Sequence, residues 1–283
     1  MKLLVLGPTG QLGRDLVRAA THRAGIEVRA AGRELVDLSD TESIEDALAG
    51  TDFDVVVNCA AHTAVDAAES EPGVAFRVNA YAVEAIARAC ARENRRLVQV
   101  STDYVFDGES DRPYQPDDAP APLNVYGASK LAGEALARRA HPDATLVIRT
   151  SSVFGGDGSF VETMLRLGRE RDRLTVVDDI TMAPTYSVDL AAAILDLIDA
   201  DPGPGTWHVT NVGATTWFDF ARTILDVAGV DTPVEPVSAD TYPAAARRPR
   251  FSVLDTSGAV PLTGRLPSWE DALGRYLARK ETQ

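Results

Sequence analysis

Five short apolar runs, at residues 2–6, 27–31, 54–59, 96–101 and 144–149, are each separated from the next by a stretch with helical periodicity. Runs this short suit strands buried on both faces, and strands joined through helices lie parallel. The pattern therefore predicts an α/β chain built on a doubly wound parallel sheet. Helices are expected over residues 11–24, 41–49, 74–93 and 123–139. Beyond Thr150 the rhythm loosens: Gly155-Gly156-Asp157-Gly158 opens a loop, prolines punctuate the chain, and helices are expected at 160–170, 187–199, 216–228 and 269–279.

Directly after the first run stands Gly7-Pro8-Thr9-Gly10-Gln11-Leu12-Gly13, a glycine turn between a strand and a helix. Glycines there let the backbone approach a pyrophosphate, which the free N–H groups and the dipole of the helix N-terminus then hold. Gly7, Thr9, Gly10, Gln11, Leu12 and Gly13 are thus the expected diphosphate contacts of a Rossmann-type fold. Residues 1–150 are expected to form the NAD(P)-binding domain. Residues 151–283 are expected to form mainly a smaller substrate-binding lobe, with some segments returning to the first domain.

The end of the second strand separates the two nicotinamide cofactors, because a carboxylate there binds the ribose 2′-hydroxyl and repels a 2′-phosphate. It reads Ala30-Ala31-Gly32-Arg33-Glu34. Arg33 is suited to a 2′-phosphate, which favours NADPH, with a solvated surface cation as the competing reading. Glu34 adjoins it in a direction the sequence does not fix, so NADH stays open as a second cofactor. Asp37 and Leu38 suit the adenine side, or else open a helix. After the third strand, Ala60, Ala61, His62 and Thr63 follow Asn58-Cys59 where ribose and diphosphate would cross the strand ends.

Tyr126 and Lys130 lie four residues apart in a predicted helix and so share a face. A tyrosine with an ordinary pKa of about 10 is a weak acid near neutrality, and a neighbouring cation lowers that pKa. The pair reads as a tuned proton donor. After the fourth strand comes Ser101-Thr102-Asp103-Tyr104, where the Thr102 hydroxyl can donate to the same substrate oxygen that Tyr126 protonates. An ordinary strand-end threonine is the alternative.

Composition narrows the function classes. A net charge of −14 argues against nucleic-acid binding, and the one basic cluster, Arg247-Arg248-Pro249-Arg250, is small. No run approaches the roughly 18 apolar residues of a membrane span. Met1-Lys2 leads straight into the first strand without room for a signal peptide. Cys59 and Cys90 sit in apolar segments, which fits a reducing, cytoplasmic setting. His22, His62, His141 and His208 show no ligand spacing, so no metal is expected. An acid excess with only three lysines resembles the surface of salt-adapted proteins, although a GC-rich genome gives the same bias.

With these elements assembled, the chain resembles the extended short-chain dehydrogenase/reductases, and among them the dTDP-4-dehydrorhamnose reductase family. Besides the glycine turn, the resemblance rests on Val57-Asn58-Cys59-Ala60-Ala61-His62-Thr63-Ala64-Val65-Asp66 and Ala68-Glu69-Ser70-Glu71. It continues through Ser101-Thr102-Asp103-Tyr104-Val105-Phe106-Asp107-Gly108, Pro122-Leu123-Asn124-Val125-Tyr126-Gly127, Ala183-Pro184-Thr185 and Arg248-Pro249. The resemblance implies reduction of the C4 ketone of dTDP-4-dehydro-6-deoxy-L-mannose to dTDP-L-rhamnose, in nucleotide-sugar and surface-glycan biosynthesis. It implies that Tyr126 protonates the C4 oxygen and Thr102 holds it. Lys130 would bind the nicotinamide ribose and depress the tyrosine pKa, and Asp103 would help bind the sugar.

Two positions depart from the family pattern on the substrate side. Ser152 stands where family members commonly carry a tryptophan against the sugar, and Met182 stands where glycine is usual before Ala-Pro-Thr. Another nucleotide-sugar 4-ketoreductase or an epimerase therefore remains an alternative. A 4,6-dehydratase needs a second carboxylate after Asp103, where this chain has Tyr104. A non-catalytic regulatory subunit is a third alternative, which the intact Tyr126, Lys130 and Thr102 disfavour. An isologous dimer surface leaves no local motif, so a homodimer stays open.

Overall fold

Residues 1–281 are described by the computed structural model. The first half runs β1 (Lys2–Leu6), α1 (Gln11–Thr21), β2 (Glu27–Ala31), α2 (Ile44–Ala49), β3 (Val55–Asn58), α3 (Val65–Ser70), α4 (Pro72–Phe76), α5 (Ala82–Arg92), β4 (Arg96–Thr102), α6 (Val125–Ala140) and β5 (Thr145–Thr150). The second half adds β6 (Val153–Phe154), α7 (Phe160–Glu170), β7 (Leu174–Val177), β8 (Thr181–Met182), β9 (Thr185–Tyr186), α8 (Ser187–Ala200), β10 (Gly205–His208), β11 (Thr215–Thr216), α9 (Trp217–Val227), β12 (Val234–Val237), α10 (Val260–Thr263) and α11 (Trp269–Glu281).

Six strands form one sheet in the order β10-β5-β4-β3-β1-β2, and every neighbouring pair is parallel. From β1 the chain first crosses to β2 on one side and then to β3 on the other. The strand order therefore reverses between β1 and β3, and a crevice opens beyond their C-terminal ends. Alternation along β1 covers both faces of the sheet. Leu3 and Val5 pack with Leu16 and Ile194 on one side, while Leu4 and Leu6 pack with Ile44 and Ile86 on the other. Each such side chain contributes roughly 1.5–3 kcal/mol on burial.

Two segments from beyond residue 150 complete this sheet. Helix α8 lays Leu190, Ile194 and Leu197 against Leu12 and Leu16 of α1, and β10 pairs in register with β5 from Gly205↔Leu146 to His208↔Arg149. The remainder forms a second core in which Phe154, Val161, Leu165, Phe220, Ile224, Trp269 and Leu273 meet. Met182 is buried in that second core and does not line the crevice.

The stretch expected as one helix over 74–93 is helical but not uniform. Residues Arg77–Tyr81 widen into a π turn between α4 and α5. The cause is Asn79, whose side chain accepts from His62 N at 2.8 Å and donates to His62 O at 3.0 Å and Ser129 Oγ at 2.9 Å. Three bonds made by one buried amide offset the poorer helical geometry.

Candidate active site

The glycine turn forms the floor at one end of the crevice. Gly7 has φ +74°, and a Cβ on it would stand 2.9 Å from Ala60, so side chains are excluded there. A Cβ on Gly13 would stand 2.1 Å from Gly7 O, which is how closely α1 lies on the turn. Gly10 caps α1 with no side-chain hydrogen bond, so the first-turn N–H groups and the positive end of the helix face the crevice. The loop after β6 closes over this end: Arg14 Nη2 donates to Gly155 O at 2.9 Å, and Gly156 N donates to Gln11 Oε1 at 3.2 Å.

The crevice encloses about 950 Å³. All the residues expected to touch cofactor line it except His62, whose backbone is held by Asn79 and whose Nε2 is buried without a partner. Thr102 and Ser152 also line it, whereas Asp103 does not. At the far end of β2 the Glu34 carboxylate folds back over Gly32, where an added Cβ would stand 2.4 Å from Glu34 Oε2. Ser39 donates to Asp37 Oδ1 from N at 2.9 Å and from Oγ at 2.8 Å. These bonds, with Arg33 nearby, hold the Asp37 carboxyl below its usual range. One guanidinium and two carboxylates thus border this end of the crevice.

The opposite end is built by side chains. Asn124 caps α6, accepting from Gly127 N at 2.7 Å, and donates from Nδ2 to Arg247 O at 2.7 Å. That fixes the first turn of the helix, which carries Tyr126. One turn on, Lys130 is buried and donates from Nζ to Val100 O at 2.6 Å. Burial pushes Lys130 down to about 8, against the opposing fields of Glu134 and Cys59. Burial likewise pushes the Tyr126 phenol up to about 12, although a bond with the Thr102 hydroxyl works the other way. The tyrosine shift is opposite to the sequence-based expectation. Desolvation of the phenolate dominates, and the Lys130 ammonium is engaged with a carbonyl.

Thr102 Oγ1 donates to Asp103 Oδ1 at 3.0 Å and accepts from Tyr104 N at 3.2 Å. Asp103 is 2% exposed, and its other oxygen accepts from Ser151 Oγ at 2.7 Å. Behind this end, Arg149 grips the fully buried Glu134 with two bonds of 2.9 and 2.7 Å, and Ser101 adds a third at 2.5 Å. Burial alone would raise the Glu134 carboxyl, but these donors hold it below its usual range. Asn79, Ser151 and Glu134 were not expected from the sequence, because an isolated amide, hydroxyl or carboxylate gives no spacing signal.

A phenol near a buried ammonium at one end of a long crevice and a glycine turn at the other suit hydride transfer between a dinucleotide and a carbonyl compound. Comparison with known proteins agrees. The RmlD substrate binding domain profile matches residues 1–282. A dTDP-4-dehydrorhamnose reductase of Mycobacterium tuberculosis is 43% identical over 286 residues, covering 98% of this chain and 92% of the relative. The crystal structure of a dTDP-4-dehydrorhamnose reductase from Clostridium acetobutylicum superposes with TM-score 0.94 at 35% identity, covering 99% of this chain and 100% of the other. A dTDP-4-dehydrorhamnose reductase from Bacillus anthracis, solved in complex with NADP, superposes with TM-score 0.92 at 36% identity over 98% of this chain and 99% of that one. With its fold and nearly its full length in common with these proteins, the chain belongs to the RmlD substrate binding domain family, that of the dTDP-4-dehydrorhamnose reductases.

Proposed function

We propose that this protein reduces the C4 ketone of dTDP-4-dehydro-6-deoxy-L-mannose to dTDP-L-rhamnose, with NADPH as the preferred reductant and NADH as a second. The observation that carries this reading is the meeting of the glycine turn with Tyr126, Thr102 and Lys130 in one crevice. The end-to-end similarity to reductases of this name supports the sugar. The turn fits a dinucleotide diphosphate, since Gly7 and Gly13 admit no Cβ and the start of α1 offers uncapped N–H groups. Arg33 is suited to a 2′-phosphate, with Glu34 and Asp37 suited to ribose hydroxyls.

NADPH, when bound, supplies the hydride. Tyr126 delivers the proton to the developing C4 alkoxide. With its pKa pushed up to about 12 the phenol is protonated at neutral pH, and the far more basic alkoxide draws the proton as it forms. Thr102 fixes the hydroxyl of Tyr126 through their shared hydrogen bond. Lys130 would hold a ribose hydroxyl of the bound cofactor and place a positive charge near the forming oxyanion.

Residues beyond 150, apart from α8 and β10, mainly provide the sugar-binding lobe in this reading. Arg248 binds Asp66 with bonds of 2.7 and 2.6 Å, tying the segment around 246–248 to α3 beside Tyr104 and Asn124. Ser152 gives the sugar a hydroxyl in place of an aromatic face. Both cysteines are free thiols, which suits work in the cytoplasm. The test is to supply authentic dTDP-4-dehydro-6-deoxy-L-mannose with NADPH or NADH and follow nicotinamide absorbance. Consumption of reduced cofactor is expected, and none with confirmed substrate would overturn the reading.

A further inference from the structure

Asp103 is a buried carboxyl that does not line the crevice, so it is poorly placed for the sugar contact that family resemblance implies. It stands instead in the middle of a line of hydroxyls. Tyr126 bonds the Thr102 hydroxyl, Thr102 Oγ1 lies 3.0 Å from Asp103 Oδ1, and Ser151 Oγ lies 2.7 Å from Asp103 Oδ2. Ser151 Oγ also lies 3.4 Å from Ser152 Oγ, and Ser152 lines the crevice. The line therefore runs from Tyr126 through the protein interior and back to solvent.

We propose that Asp103 is the internal proton store that restores Tyr126 after each turnover, discharging through Thr102 and refilled through Ser151 and Ser152. The inference rests on Tyr126 being the acid, as argued above.

Proton counting carries it. Thr102 has one hydroxyl proton and two oxygen neighbours that compete for it. With Asp103 ionised, that proton is tied to the carboxylate and none is free for Tyr126. With Asp103 protonated, the same atoms form a chain of donors that ends on the tyrosine. Burial favours the protonated form and raises the Asp103 carboxyl above its usual range, against bonds from Ser252, Ser151 and Thr102. The phenols of Tyr104 and Tyr126 both feel this carboxyl, and a negative charge on it disfavours ionising either. At the outer end, Ser152 takes a left-handed backbone conformation, φ +46°, in the turn between β5 and β6.

The steps balance. Reduction breaks the Tyr126 O–H bond and forms an O–H bond on the sugar, leaving a phenolate. Thr102 then gives its proton to the phenolate while Asp103 gives its proton to Thr102, so two O–H bonds break and two form. The charge comes to rest on the Asp103 carboxylate, where three hydroxyls solvate it. Crevice water returns one proton through Ser152 and Ser151, matching the one proton consumed per ketone reduced. No electron moves in the relay.

Asp103→Asn keeps the shape and the hydrogen bond to Thr102 but stores no acidic proton. In rapid-mixing experiments with NADPH and the 4-keto sugar, it should oxidise one equivalent of NADPH per site at near the parent's rate. Steady-state kcat should then fall by about 100-fold, within the usual range for losing a positioned proton donor, and KM for the sugar should fall with it, so that kcat/KM is kept. A first turnover slowed as much as the later ones would overturn the relay and leave Asp103 as a prop for Thr102. A raised KM with kcat retained would overturn it in favour of a sugar contact, and unchanged steady-state turnover would overturn it outright. In each of these outcomes the parent still reduces the ketone, which separates failure of the relay from failure of the activity. Should the variant not fold, carbon NMR of the unaltered protein labelled at aspartate carboxyls decides. One aspartate should keep its proton above the usual carboxylate range, and ionisation of every aspartate within that range would overturn the proposal.

Discussion

The two ends of the crevice are made by different means. At the glycine-turn end the surface offered to a ligand is backbone: uncapped N–H groups of α1 over a turn too tight for side chains. At the Tyr126 end it is side chains whose properties depend on burial, with a phenol pushed up to about 12 and an ammonium pushed down to about 8. The difference teaches where robustness lies. Backbone recognition is set by local sterics, while proton chemistry depends on what the whole fold packs around each group. Mutations at the two ends should therefore separate binding from turnover.

The largest separation is expected from Tyr126→Phe. Only the transferable proton is removed, so turnover should fall by roughly 1,000-fold while NADPH affinity by fluorescence titration stays at the parent's value. Turnover equal to the parent's would remove Tyr126 from its role as the acid. Gly13→Ala should do the reverse, because its Cβ must displace Gly7 O from 2.1 Å. It should weaken NADPH binding severely and cost about 1–3 kcal/mol of stability by overpacking, read by titration and urea unfolding. Normal NADPH affinity in this variant would break the comparison.

Lys130→Met tests both at once. Turnover should drop by roughly 100-fold, yet stability at pH 7 should rise by on the order of 2 kcal/mol, because a buried ammonium no longer has to be desolvated. The pH dependence has a definite sign. With the folded pKa near 8 and the unfolded one at the ordinary 10.5, the unfolded chain binds more protons between these values. The parent should gain stability relative to the variant as pH rises through that window. A constant difference would show that Lys130 is not shifted. The smallest effect is expected from Arg33→Ala, about tenfold on NADPH affinity and less on NADH, from loss of a charge-assisted contact to the 2′-phosphate. Equal losses would place Arg33 away from that phosphate.

This contrast also explains what could be read from the sequence. The bounds of β1 and β2 follow from it to the residue, since each is a short run ended by a glycine or a polar turn. The spacing of Gly7, Gly10 and Gly13 carries the tight turn for the same reason: local sterics admit few alternatives. The π turn at Arg77–Tyr81 was invisible because its cause, Asn79, bonds to residues 17 and 50 positions away. The return of β10 to the main sheet depends on α8 packing on α1, a contact no window of sequence contains. The spacing of Tyr126 and Lys130 is legible, but the direction of the tyrosine shift is not. It depends on burial by segments as distant as 247, which closes on Asn124. Asp103 is the same case: its place in the motif is plain, and only the fold shows that it points away from the crevice.

The most direct test of the account is to run the reaction with NADPH carrying deuterium at the transferable position and examine the sugar by NMR. The account predicts one deuterium at C4 of a newly formed alcohol for every cofactor oxidised. Cofactor oxidation without label at C4, or an inverted sugar with no net cofactor consumed, would contradict it.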